Sequence, residues 1–186
     1  METEQLVDLL GGTALAAGLE PAEVGRMAEA GEARAVPEGE VLIEEGRRGA
    51  ALMVILDGEV EVLKRLGNGE VHRLGTLGTG KVLGEVGLVL EEPASATVRT
   101  VRPSTLFFLD RRRFRDLVHR RDGTSAVFSI AIAKILATRL QRMNEEVVAL
   151  CERFEEGQAE AGGNRGSARR AELARFKEQL LSEWNF

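Results

Sequence analysis

Gly80-Lys81-Val82-Leu83-Gly84-Glu85-Val86-Gly87-Leu88-Val89-Leu90-Glu91-Glu92-Pro93-Ala94-Ser95-Ala96-Thr97-Val98 is the stretch whose reading decides the fold. A short helix within it would offer unpaired backbone N–H groups, and the positive end of its dipole, to an anion. Gly84 would let the backbone approach closely. Ser95 has a hydroxyl to donate, and Ala96 leaves room while supplying a backbone N–H. A glutamate near a helix N-terminus is favourable without any ligand, so the same residues also read as a plain turn and helix cap.

Around this stretch, from Val36 to Leu109, the chain is a series of short β-rich runs punctuated by glycine: Val41 to Ile43, Ala51 to Leu56, Val60 to Leu66, Val71 to Leu77, Ala96 to Val101 and Thr105 to Leu109. Strands at this spacing predict a sandwich or closed roll. Gly67-Asn68-Gly69 is the clearest hairpin turn, because Asn and Gly tolerate the positive φ of tight turns, and Asp57-Gly58 is a second. Thr3 to Ala35 reads as short helices, with Pro21 opening the second. After Asp110 the pattern is helical again, over Arg111 to His119 and Ser125 to Glu156.

The quoted segment resembles the phosphate-binding cassette of the cyclic-nucleotide-binding domain family, found in catabolite activator proteins, regulatory subunits of cAMP-dependent kinase and nucleotide-gated channels. Gly84, Glu85, Leu88, Pro93, Ser95, Ala96 and Val98 fit the family's order. Pro37-Glu38-Gly39, Glu44-Glu45-Gly46, the run Leu52 to Leu56 followed by Asp57-Gly58-Glu59-Val60, and Phe107 to Val118 extend the likeness from Val36 to roughly Glu156. The resemblance implies a mainly β fold with flanking helices, a jelly-roll-like double-stranded β-helix followed by a long C-terminal helix. It implies a non-enzymatic regulatory module with cAMP or cGMP as ligand. Gly84, Glu85, Val86, Ser95 and Ala96 would form the site, Glu85 accepting from the ribose 2′-hydroxyl.

One position departs from the family: Ala94 stands where the phosphate-binding arginine is usual. A guanidinium contact to an anion is worth roughly 1.5–3 kcal/mol net, so its loss weakens binding about ten- to a hundredfold or more. Arg73 or Arg99 would be the substitutes, against the plainer reading of both as solvated strand positions. Arg47-Arg48 reads as a charged turn. Three functions stay open: a nucleotide sensor that signals through its long helix, a degenerate domain acting as a dimeric interaction module, and a transcription regulator of the catabolite activator type without its DNA-binding domain.

Composition narrows the classes. With 44% hydrophobic and 30% charged residues over 186 positions, the chain has enough apolar material to fold. A net charge of −5 argues against a broad nucleic-acid footprint. No apolar run suggests a membrane span, and the acidic start lacks the features of an export signal, so a cytoplasmic location is expected. The single cysteine, Cys151, reads as an ordinary helix residue. His72 and His119 lack a neighbouring nucleophile or metal spacing, so no catalytic site is expected.

The organisation expected is a helical segment over 1–35, a β-roll over 36–110, a hinge and long helix over 111–156, a linker over 157–167 and a tail helix over 168–186. In the long helix Leu136, Leu140, Met143, Val147, Leu150 and Phe154 alternate spacings of four and three, the seam of a coiled coil, which predicts a homodimer. Leu173, Phe176, Leu180 and Trp184 form one face of the tail helix. So short a helix needs a surface to dock on, whether within the dimer or on another protein.

Overall fold

The computed structural model describes residues 2–49, 51–119 and 123–160. The chain divides into two units, residues 1–135 and 136–186.

The first unit opens with helices α1 (Thr3–Gly11) and α2 (Pro21–Ala30). Pro21 starts α2 where its missing N–H costs nothing, and the Glu23 carboxylate accepts from the Glu20 N–H at 2.8 Å. Eight strands follow: β1 (Glu32–Val36), β2 (Val41–Ile43), β3 (Ala51–Asp57), β4 (Glu59–Arg65), β5 (Val71–Gly78), β6 (Val82–Leu83), β7 (Thr97–Thr100) and β8 (Ser104–Asp110). Helix α3 (Glu85–Val89) lies between β6 and β7, and α4 (Arg111–Val118) and α5 (Gly123–Glu160) come last.

The strands form two four-stranded antiparallel sheets, ordered β1-β8-β3-β6 and β2-β7-β4-β5. Apart from the β4–β5 hairpin, consecutive strands sit in different sheets, as a jelly-roll arrangement requires. Val36, Met53, Ile55, Leu83 and Leu106 of the first sheet meet Val60 and Val98 of the second in one buried cluster. Alternation along β3 turns Leu52, Val54 and Leu56 to the opposite face, and these are buried too. Phe107 and Leu109 of β8 share that burial, and Phe114 of α4 meets Phe128 of α5 edge to face at 6.0 Å between centroids. The first sheet is thus covered on both faces, which explains why β3 is almost continuously apolar.

Two strands were not anticipated. Glu32-Ala33-Arg34-Ala35 has the composition of a helix, yet β1 pairs with β8 from Glu32↔Phe108 to Val36↔Ser104, and Arg34 lies over the Phe108 ring. The roll therefore begins at Glu32 and not at Val36. The two residues of β6 are too few for periodicity to reveal. The long helix runs to Glu160 and so includes the first four residues, 157–160, of the expected linker. The rest of that linker and the tail face of Leu173, Phe176, Leu180 and Trp184 lie outside the described residues.

Of the second unit, Leu136 and Val147 of α5 are half-buried, Leu140 is 45% and Met143 57% exposed, and Cys151 is buried. The side chains of Leu150 and Phe154 lie outside the described residues. No helix among the described residues is long and apolar enough to cross a membrane.

Candidate ligand-binding site

Strand β6 aligns with β3 through Met53↔Leu83 and Val54↔Val82, and this pairing delivers Gly84 to the roll. Gly84 has φ +78, and a Cβ here would overlap the carbonyl oxygen of Ala51. Only glycine fits both demands without strain. From this cap α3 makes little more than a turn, with the Leu88 N–H donating to Gly84 O at 3.3 Å. Glu85, its first residue, is 1% exposed, so its carboxylate lies at the helix N-terminus inside the protein. Val86 is 40% exposed on the same helix.

The way out of α3 is held by ions. Glu91 takes the left-handed conformation at φ 57, unusual for a residue with a side chain. Its carboxylate accepts from Arg115 of α4 and lies 3.9 Å from Arg111. The bond from Arg115, with the charges of Arg115, Arg111 and Arg48 adding to it, holds the Glu91 carboxyl below the usual carboxylate range. Arg111 Nη2 also donates to the carbonyls of Gly49, at 2.9 Å, and Gly87, at 3.3 Å.

The segment returning to β7 is stitched to the turn after β2. Ala94 N–H donates to Arg47 O and Gly46 N–H to Ala94 O, both at 2.8 Å, with Arg48 bridged to Pro93. The Glu45 N–H donates to the Thr97 hydroxyl at 3.1 Å. Ser95 is exposed and Ala96 half-buried. Thus Gly84, Glu85, Val86, Ser95 and Ala96 belong to one continuous loop between β6 and β7, with Ala94 anchored through its backbone.

Neither arginine nominated as a substitute faces this loop. Val60, Val62, Val98 and Thr100 turn to the interior, so Arg99 turns outward, where Glu61 accepts from its Nε at 2.9 Å. Arg73, paired with Leu63, lies on the same outer face, along an open groove of about 670 Å³ shared with Arg65, Thr97 and Arg99. Arg47 is ion-paired with Glu44 at 2.7 Å. His72 and His119 are both exposed.

Lys64 was missed by the sequence reading. Its Nζ donates to the carbonyl of Ser95 at 2.5 Å and to Glu45 Oε1 at 2.7 Å, while the Arg65 N–H donates to Glu45 Oε2 at 2.9 Å. The bond from Lys64, followed by that from the Arg65 N–H, holds the Glu45 carboxyl below its ordinary range. Residues 31 positions apart leave no local sequence signal for such a contact.

Comparison with known proteins agrees with this architecture. The family model of the cyclic nucleotide-binding domain matches residues 33–121. The chain is 38% identical over 85 residues to a cAMP-dependent protein kinase regulatory subunit of Blastocladiella emersonii, an overlap of 46% of this chain and 21% of that protein. It is 30% identical over 145 residues to the cyclic AMP receptor protein of Thermus thermophilus, covering 78% of this chain and 64% of the relative. The crystal structure of the Thermus thermophilus catabolite activator protein superposes with a TM-score of 0.69 at 25% identity, over 92% of this chain and 88% of that one. The chain thus spans about a fifth of the first of these relatives and less than two thirds of the second. Residues 33–121 thus form a domain of the cyclic nucleotide-binding type.

Proposed function

We propose that this chain is a cytoplasmic, non-enzymatic regulatory module whose roll takes up a cyclic nucleotide, cAMP or cGMP, and whose long helix passes the signal to a partner. The observation that carries this reading is the form of the β6–β7 loop. A left-handed Gly84 caps a single-turn helix, Glu85 is buried behind it, and Ser95 and Ala96 are presented by a backbone pinned at Ala94. Such a loop offers backbone N–H groups and a hydroxyl to a phosphate and a carboxylate to a ribose hydroxyl.

Signalling requires that ligand bind one arrangement of the helices better than another. Arg111 and Arg115 of α4 are both bonded to the loop or to the turn beside it, so a change in α3 or Glu91 is felt at the exit helix. Homodimerisation through the α5 seam is part of the proposal, supported by the exposure of Leu140 and Met143. A protein partner for the tail face of Leu173, Phe176, Leu180 and Trp184 rests on the sequence pattern alone.

Isothermal titration of the purified chain with cAMP and cGMP tests this. Saturable micromolar binding is expected, tightened about tenfold or more in an Ala94→Arg variant that adds a guanidinium beside Ser95. Absence of heat with both nucleotides and both chains would overturn the nucleotide reading and leave the interaction module.

A further inference from the structure

The family's charge at position 94 is gone, but the loop is not without a cation. We propose that Lys64, reaching in from β4, supplies the positive charge that Ala94 lacks, and that Glu45 is the counter-ion an incoming phosphate displaces.

Register places Lys64 well. Pairing of β4 with β7 runs Val60↔Thr100, Glu61↔Arg99, Val62↔Val98 and Leu63↔Thr97 without a slip, so the next position sets Lys64 beside Ala96. By alternation Lys64 shares the face of Val60 and Val62, the face turned to the interior, while Leu63 and Arg65 share the outer one. Among the described cations near this loop, Lys64 is bonded to the Ser95 to Ala96 segment itself, at 2.5 Å from the Ser95 carbonyl.

Four nearby arginines are committed elsewhere. Arg99 is held by Glu61 on the outer face, Arg47 by Glu44, and Arg111 and Arg115 by Glu91. An ammonium also suits the position chemically, because it is a compact charge on a flexible stem whose three donors can be redirected. Those donors go to the Glu45 carboxylate and the Ser95 carbonyl. A phosphate arriving at Ser95 would compete with the Glu45 carboxylate for the same Nζ. Glu45 keeps its bond from the Arg65 N–H after such an exchange, so the displaced carboxylate is not stranded.

This assignment rests on the nucleotide reading above, and the experiment separates the two. Titrations of cAMP, and of adenosine as the anion-free probe, would compare the natural chain with Lys64→Met, Lys64→Arg, Glu45→Gln and Lys64→Met combined with Ala94→Arg. Circular dichroism would check that each variant folds. Lys64→Met is expected to weaken cAMP about tenfold or more while leaving adenosine unchanged. Lys64→Arg should retain most of the affinity, Glu45→Gln should tighten cAMP by up to roughly fivefold, the range of a surface ion pair, and Ala94→Arg should restore what Lys64→Met loses. Equal cAMP affinity in the natural chain and Lys64→Met overturns the assignment and leaves the nucleotide reading standing. Parallel loss of cAMP and adenosine also overturns it, by showing that Lys64 acts on the shape of the loop. No binding by any of the chains overturns both.

Discussion

Replacing Gly84 by alanine tests whether the loop's backbone is as constrained as its geometry implies. Two separate penalties follow. Holding an L-residue in the left-handed conformation costs about 1–2 kcal/mol. A Cβ overlapping the Ala51 carbonyl oxygen demands a backbone shift in a packed region, for which about 1–3 kcal/mol is typical. Together these amount to about 2–5 kcal/mol, a large share of a domain stability of roughly 5–15 kcal/mol.

Gly80 supplies the control. Its φ of +82 imposes the same conformational penalty, but a Cβ there meets nothing within 4 Å. Gly80→Ala should therefore cost only about 1–2 kcal/mol, and the difference between the two variants isolates the steric part. Urea denaturation followed by circular dichroism gives both values from the shift in midpoint at constant slope. Gly84→Ala should also abolish cAMP binding, which Gly80→Ala should leave intact. If the two substitutions destabilise equally, the Ala51 carbonyl does not confine Gly84 and the account of the loop is wrong.

Acid dependence follows from Glu91. Because Arg115 and Arg111 hold its carboxyl below its ordinary value, its contribution to stability is present above that unfolded-state value and is lost as pH falls through the lower folded one. Stability measured by urea denaturation between pH 7 and about pH 3 should therefore decline more steeply for the natural chain than for Glu91→Gln; identical slopes would refute the clasp. In α5, Leu140→Glu combined with Val147→Glu places charges in the proposed seam and should convert a dimer to a monomer by light scattering, whereas unchanged mass would remove the coiled coil from the proposal.

How far the sequence reached depended on the range of the interaction. Val41 to Ile43, Ala51 to Leu56 and the hairpin around Gly67-Asn68-Gly69 were legible because alternation and turn chemistry are local. The family likeness placed Gly84 and Glu85 on a tight turn for the same reason, since the residues concerned are contiguous. Strand β1 escaped because its alanines and charged residues favour a helix, and only the ladder offered by β8 makes it extended. Arg73 and Arg99 were named for their charge, but alternation about Val98 assigns Arg99 to the outer face, a distinction that needs the strand's phase and not its composition. Lys64, Glu45, Arg111 and Arg115 were invisible for a different reason: each acts on the loop from a distant element.

Arg111 carries a consequence for mechanics. A helix of five residues has too few internal hydrogen bonds to keep its own place in water, so α3 borrows rigidity from outside. One guanidinium nitrogen, on the first residue of α4, serves both the carbonyl of Gly87 in α3 and that of Gly49 in the turn before β3. The rest position of α3 is therefore an address written by the exit helix. The two bonds of that single nitrogen tie the place of α3 to that of α4.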